Sequence, residues 1–194
     1  MTGTAIDAAA AIRWIWFAWL LTWWAAAFWS TRAIRRPRLG SQLPFRVCVI
    51  AGAALVFGLN GRGLGSGTVL WRPDAIAAAP FFAVTIAGLA FTWWARLTLG
   101  RLWSSGVTRK AEHRIVDTGP YGLVRHPIYT GVIVAACAIA FVPLTSLTLI
   151  GAALLAFGFY LKGRLEEGFL RQELGADAYD EYARRVPMLV PTLK

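Results

Sequence analysis

The sequence predicts an all-α, polytopic membrane protein with five transmembrane helices, the last two of which form a helical hairpin. Composition is the first reason: the 194 residues are 57% apolar and 15% charged, and their mean hydropathy is +0.54. An ordinary soluble domain is about 45–50% apolar and about 25% charged, so that class is excluded. The other two reasons are a set of long apolar runs and the basic residues that border them.

The apolar runs predict where the helices lie. Residues 12–30, 45–60 and 75–95 each have the length of one membrane crossing, and the Trp-rich first run, which follows Asp7, fits a retained helix better than a cleaved signal peptide. Residues 128–161 are too long for one crossing of a hydrocarbon core of about 30 Å and are interrupted by Pro143. We therefore expect a tight hairpin that turns within residues 142–146.

The basic residues predict the orientation, because Lys and Arg resist translocation. With five spans, every Lys and Arg except Arg13, Arg62 and Arg72 lies on one side of the membrane. The N-terminus is expected outside and the C-terminus in the cytoplasm. The net charge of +10 indicates contact with anionic lipids rather than nucleic acid, since these residues border membrane helices. Abundant Ala, Arg and Trp suggest a prokaryotic inner membrane.

Most of the polar residues that could carry chemistry lie in two predicted cytoplasmic stretches. In the first, Pro127 suits the opening turn of the fourth helix, so Arg125 and His126 precede a helix N-terminus. Free backbone N–H groups and the Arg fork predict a corner that binds a carboxylate. The alternative is structural: Arg125 reaches lipid phosphates, His126 caps the helix, and Tyr121 and Tyr129 belong to an interfacial aromatic belt.

The second stretch follows the fifth helix and contains Glu166 and Glu167. Adjacent helical residues point about 100° apart, so we expect one of the two, Glu167, to face a site. Its simple alternative is a surface pair with Arg171. Cys48 and Cys137 lie alone in apolar runs and are expected to be core residues, and no metal site is predicted.

These stretches together resemble a known family. Gly-Pro-Tyr-x-x-x-Arg-His-Pro-x-Tyr-x-Gly at residues 119–131, Glu166-Glu167, Tyr179-x-x-Tyr182 and Arg185-Val186-Pro187 are similar to motifs of the isoprenylcysteine carboxyl methyltransferase family and the related membrane phospholipid methyltransferases. Gly100-Arg101-x-Trp103-Ser104 and His113 fit as well. The resemblance covers about residues 99–191, and it divides the chain into a three-helix scaffold, residues 1–98, and a methyltransferase region, residues 99–194.

The resemblance implies a site for S-adenosylmethionine on the cytoplasmic side and a lipophilic acceptor that enters from the bilayer. In the family, an Arg and a Glu after the last long helix serve the acceptor, which makes Arg164 and Glu167 the catalytic candidates here. The residues that the resemblance assigns to the cofactor are His113, Gly119, Tyr121, Arg125, His126, Tyr129, Glu166, Tyr179 and Pro187.

We therefore expect an integral membrane methyltransferase that acts on a lipophilic carboxylate or a lipid amine. A carboxylate acceptor is already a nucleophile, whereas an amine must lose a proton, which Glu167 or His126 would accept. Two alternatives remain open: a membrane sterol-type reductase that uses NADPH, and a non-catalytic scaffold or lipid-binding protein. The sequence does not predict the oligomeric state.

Overall fold

The chain folds into a bundle of long helices with a two-stranded ribbon at one end. The structure is a computed structural model and describes residues 3–28, 39–58, 67–103 and 115–192. Within these ranges the elements are α1 (Gly3–Ala27), α2 (Leu39–Val56), β1 (Val69–Trp71), α3 (Ala75–Leu99), α4 (Pro127–Ala140), β2 (Leu144–Thr145), α5 (Ser146–Leu174) and α6 (Ala176–Arg185). Short 3₁₀ turns occupy Gly100–Leu102 and Gly119–Gly122.

Three of the described helices are long and apolar enough to cross a membrane: Leu39–Val56, Ala75–Leu99 and Ser146–Glu173. Two shorter apolar helices accompany them, Trp14–Ala27 and Pro127–Ala140. The prediction of a helical, polytopic membrane protein is thus confirmed. The described strands are one departure from an all-α fold: β1 and β2 pair antiparallel, so the segment before α3 contacts the turn between α4 and α5.

The helical hairpin has the predicted position. Helix α4 begins at Pro127, whose missing N–H costs nothing in a first turn, and ends at Ala140. Helix α5 begins after Thr145, which is its N-cap: the Thr145 hydroxyl accepts from the Thr148 N–H, and the Thr148 hydroxyl accepts from the Thr145 N–H. This reciprocal cap satisfies polar groups that would otherwise be buried without partners.

Glycines bring the neighbouring helices into close contact. A Cβ at Gly52 of α2 would lie 2.6 Å from the backbone nitrogen of Leu155 in α5, and a Cβ at Gly131 of α4 would lie 2.5 Å from the carbonyl oxygen of Gly88 in α3. Such backbone contact is the main source of packing energy between helices in lipid, where apolar side chains gain little from leaving their surroundings. The α2–α5 and α3–α4 pairs are both antiparallel.

Polar contacts join α1 to α3 in parallel. The Trp19 indole donates to the Thr92 hydroxyl (2.9 Å), and the buried Arg96 guanidinium donates to the carbonyl of Ala26 near the end of α1 (2.6 Å). Arg96 also donates to the Gly100 carbonyl (2.6 Å) and lies over the Trp103 ring (4.2 Å). The helices alternate in direction along the chain, so α1, α3 and α5 end where α2 and α4 begin.

Helix α5 includes the first part of the second polar stretch, which the sequence analysis placed after the fifth helix. It is continuous over 29 residues, about 44 Å, which exceeds a hydrocarbon core of about 30 Å. Its last turns therefore project beyond the membrane and carry both glutamates of the second polar stretch. After Gly175, where φ is +96°, the chain folds back as α6.

The glycine contacts yield a prediction for stability. Gly131→Ala is expected to lower the free energy of unfolding by about 1–3 kcal/mol, because the new methyl group overlaps backbone of α3. The matched control is Gly168→Ala, a helical position with nothing within 4 Å of the added Cβ, which is expected to be neutral or stabilising by up to about 1 kcal/mol. Thermal unfolding in detergent micelles measures both. Equal effects of the two changes would show that the α3–α4 contact does not depend on Gly131.

Candidate active site

The candidate site lies at the end of the bundle where α4 begins. The 3₁₀ turn at Gly119–Gly122 places Tyr121 against the helices. Gly119 has a φ of +57°, a backbone conformation that glycine adopts without strain. Pro120 and Val124 are fully buried beneath the turn. Arg125 and His126 follow and lead directly into Pro127, as the sequence predicts.

Residues 186–190, which we call the C-terminal strap, lie against the start of α4. The N–H of Arg125 donates to the Pro187 carbonyl (2.8 Å), and the N–H of His126 donates to the Met188 carbonyl (3.1 Å). The Thr130 hydroxyl donates to the Leu189 carbonyl (2.7 Å). The backbone N–H groups of Arg125 and His126, which immediately precede the helix, are therefore occupied by carbonyl groups of the chain itself.

Arg125 ties three segments together. Its Nε donates to the Glu167 Oε1 of α5 (2.8 Å), and its Nη1 donates to the carbonyls of Ala183 (3.0 Å) and Val186 (2.5 Å) at the end of α6. Burial alone would lower the pKa of Arg125, but the hydrogen bond and charge of Glu167 raise it above its usual value. The guanidinium is therefore permanently charged, and it holds α6 and the strap onto α5.

Glu166 and Glu167 lie beside different ring nitrogens of His126. His126 Nε2 lies 3.2 Å from Glu167 Oε1, and its Nδ1 lies 3.8 Å from Glu166 Oε2. The Tyr129 hydroxyl donates to Glu166 Oε2 (2.5 Å), and the Tyr129 ring stacks on the imidazole at 5.1 Å. Both carboxylates therefore contact this cluster, including Glu166, which the resemblance assigns to the cofactor, whereas the angle between adjacent helical residues favours Glu167 alone. Arg171 pairs with Asp180 (2.6 Å) instead of Glu167.

Helix α6 covers this cluster with two tyrosines. Tyr179 and Tyr182 are buried, and the Tyr182 hydroxyl donates to the Tyr121 carbonyl (2.7 Å). Burial, followed by nearby carboxylates, raises the pKa of the Tyr121 and Tyr179 phenols well above the usual range, and burial raises the pKa of Tyr182 as well. These side chains are neutral hydroxyl groups at any physiological pH.

A cavity of about 360 Å³ lies beneath α6 and beside the cluster. One part of its wall is polar, with the side chains of Tyr121, Arg125, His126, Tyr129, Lys162, Glu166, Tyr179 and Tyr182. The rest is apolar and comes from α1, α3, α4 and α5 and the chain near them, with Trp19, Leu20, Trp23, Leu99, Leu102, Trp103, Ile115, Val116, Ile128, Val132, Phe159 and Leu170. Such a cavity fits a ligand, or a pair of ligands, with one polar and one apolar part.

The predicted site residues separate into groups in the structure. Six of them line the cavity: Tyr121, Arg125, His126, Tyr129, Glu166 and Tyr179. Glu167 contacts the cluster through Arg125 and His126, and Gly119 and Pro187 contribute backbone geometry. Arg164 is exposed and is not part of the cavity wall. His113 lies outside the described residues. Among the described residues, no group of three or more His, Cys, Asp or Glu is arranged to hold a metal ion.

Some cavity residues had no signal in the sequence. Trp19, Trp23 and Phe159 are indistinguishable from lipid-facing residues by composition, and Trp103 was noted only within a motif. Lys162 could have been found, because it is the cation that ends the apolar run of α5 and precedes Glu166 by four residues, which places both on one face.

Comparisons with known proteins find a family match that overlaps the region of the motifs. The sequence profile of the isoprenylcysteine carboxyl methyltransferase (ICMT) family matches residues 81–172. The chain is 31% identical to the nickel-cobalt-cadmium resistance protein NccN of Alcaligenes xylosoxydans xylosoxydans over 63% of the chain and 53% of that protein. It is 31% identical to protein-S-isoprenylcysteine O-methyltransferase B of Arabidopsis thaliana over 44% of the chain and 43% of the relative.

A further relative is a probable protein-S-isoprenylcysteine O-methyltransferase of Oryza sativa subsp. indica, 30% identical over 58% of the chain and 53% of the relative. The chain thus spans about half the length of the curated relatives it matches. The profile match includes α4, most of α5 and the greater part of the polar cavity wall, whereas α6 and the strap follow it.

The contacts of Arg125 yield a prediction for the C-terminal segment. Arg125→Gln removes a buried ion pair and the donors to two carbonyls, so trypsin should cleave after Arg184 and Arg185 at least about tenfold faster than in the wild type. The matched control is Arg171→Gln, which breaks the exposed pair with Asp180 and should change the cleavage rate less than about fivefold. Limited proteolysis followed by mass spectrometry measures both rates. Equal rates for Arg125→Gln and the wild type would contradict the role of Arg125 in holding the strap.

Proposed function

We propose that the chain, whose residues 81–172 match the profile of the isoprenylcysteine carboxyl methyltransferase family, is an integral membrane methyltransferase that uses S-adenosylmethionine and acts on a lipophilic acceptor. The observation that carries the proposal is the cavity of about 360 Å³, whose wall joins a cluster of charged and hydroxyl groups to a Trp-rich apolar surface. Its volume lies in the range of small-molecule sites, about 300–1,000 Å³.

The chemistry of the cavity wall fits this cofactor. Glu166 offers a carboxylate to the cofactor's ammonium group, and the neutral hydroxyls of Tyr121 and Tyr179 can bond to a sugar. The aromatic rings of Trp23 and Trp103 suit a flat base and a sulfonium cation. When bound, S-adenosylmethionine supplies an electrophilic methyl group for in-line displacement by the acceptor.

The protein's contribution is alignment and exclusion of water. Arg125 fixes α6 over the cavity, and the buried tyrosines of α6 separate the cavity from solvent. The acceptor is a carboxylate or a lipid amine in this proposal. A carboxylate reacts without a base, whereas an amine would give its proton to His126, whose Nε2 lies 3.2 Å from Glu167 Oε1, because Glu167 itself is paired with Arg125 (2.8 Å).

The orientation in the membrane is part of the proposal. We propose five spans, with α1 and α4 completing the set, an outer N-terminus, and a C-terminus in the cytoplasm of a prokaryotic cell. The support is the alternation of helix directions, which gathers the ends of α1, α3 and α5 at the end that holds the cavity, together with the distribution of Lys and Arg.

Cofactor binding tests the proposal directly. The purified protein should bind S-adenosylmethionine, or its demethylated product, saturably in a calorimeter. Glu166→Gln should raise the Kd about tenfold or more, because it removes the carboxylate that accepts from Tyr129 and faces the cavity. The control is Arg184→Gln on the exposed side of α6, with an unchanged Kd. Binding of NADPH but not of the sulfonium compound would contradict the proposal and indicate a reductase.

Methyl transfer tests the reaction itself. Membranes that contain the protein are incubated with methyl-labelled S-adenosylmethionine, and the label should enter the extractable lipid fraction. Untargeted mass spectrometry for a gain of one methyl group then identifies the acceptor. A protein that binds the cofactor but labels nothing over a broad lipid panel would be a non-catalytic scaffold.

A further inference from the structure

Two cations from different helices converge on one buried ring outside the cavity. The Arg46 guanidinium carbon of α2 lies 6.0 Å from the centre of the Phe45 ring, and the Lys162 ammonium of α5 lies 5.9 Å from the same centre. Phe45 is only 8% exposed. Lys162 also lies 4.8 Å from the Tyr129 ring, which lines the cavity, so its ammonium stands between the cavity and the outer surface of α2.

Both cations lie at a depth where charge is costly. Helix α2 has 18 residues and a length of about 27 Å, close to the thickness of the hydrocarbon core, and Arg46 lies about 10 Å along it from Leu39. Arg46 donates to the side chain of Gln42 (2.8 Å), one turn nearer the helix end. Arg46 and Lys162 both lie within about 6 Å of the centre of the Phe45 ring, so two basic side chains share this position. Ionisable groups within a membrane span usually mark a ligand site.

The outer face of α2 indicates where the ligand comes from. Arg46 is exposed and shares one helical face with Leu43, Val47 and Ile50, which are 60%, 62% and 69% exposed. This face is apolar below a cationic group, the arrangement that a lipid with an acidic headgroup complements.

We propose that Arg46 and Lys162 bind the phosphate of an anionic membrane phospholipid, whose acyl chain lies along Val47 and Ile50. The hydrogen bond to Gln42 directs the Arg46 guanidinium towards the start of α2, where a bilayer supplies lipid phosphate, and an anionic headgroup complements two basic side chains. Lys162 also lines the cavity, whereas Arg46 and the exposed face of α2 do not, and the proposal does not depend on methyl transfer.

Lipid retention tests the site without any methyl donor. The protein is reconstituted in nanodiscs of phosphatidylglycerol and phosphatidylcholine in equal amounts, released, and analysed by native mass spectrometry. The wild type should retain phosphatidylglycerol preferentially. Arg46→Gln and Lys162→Gln should each lower its retention about fivefold, whereas Arg46→Lys keeps the charge and should preserve retention. The control Arg184→Gln removes an equal charge from α6 and should have no effect.

Three outcomes would overturn the proposal. One is equal retention of both lipids by the wild type, and another is an equal loss for Arg184→Gln and Arg46→Gln, which would indicate a general effect of charge. The third comes from a competition experiment, in which glycerol phosphate or lysophosphatidylglycerol is added to displace the bound phosphatidylglycerol. If both compounds displace it equally well, the site binds a free anion rather than a lipid. A protein that retains phosphatidylglycerol but binds no S-adenosylmethionine would support this site while contradicting the proposed function.

Discussion

The ion pair between Arg125 and Glu167 is the interaction on which the rest of the site depends. One guanidinium group contacts α5 through a carboxylate and the end of α6 through two carbonyls, while the backbone of the same residue holds the strap. The pair is largely removed from water, and the guanidinium donates three hydrogen bonds within the protein, which offsets the cost of burying the charge. The other described ion pairs of α6, Arg171–Asp180 and Arg185–Asp117, are exposed, so the Arg125–Glu167 pair is the buried charge interaction that supports the docking of α6.

The membrane part of the fold rests on a different kind of contact. Gly52, Gly88, Gly131, Gly151 and Gly158 let helix backbones approach each other to distances that any side chain would prevent. Arg96 adds a polar link, since it bonds to carbonyls at the ends of α1 and α3 and stacks on Trp103. These contacts place the Trp-rich end of α1 opposite α5, which produces the apolar wall of the cavity. Scaffold and site are therefore built by one packing arrangement.

The sequence predicted the helices and the hairpin because apolar runs, Pro127 and Pro143 have direct physical meanings at their positions. It also brought Arg125, His126, Glu166 and Glu167 to one site. It could not predict that carbonyls of the strap accept from the backbone N–H groups of Arg125 and His126, because every residue has a carbonyl and none is distinguished by its side chain. Lys162, by contrast, could be found from the sequence: it lies on the same helical face as Glu166, whereas Arg164, two residues away, points about 160° from it.

The continuity of α5 links the bilayer to the chemistry of the site. Gly151 and Gly158 anchor this helix to α2 inside the membrane, and the same rigid rod carries Glu166 and Glu167 beyond the membrane surface. A bilayer that is thinner or thicker than the apolar length of the helix changes its tilt at a modest energetic cost. The carboxylates lie near the end of a long helix, so a few degrees of tilt would move them relative to His126. Bilayer thickness is therefore coupled to the geometry of the site.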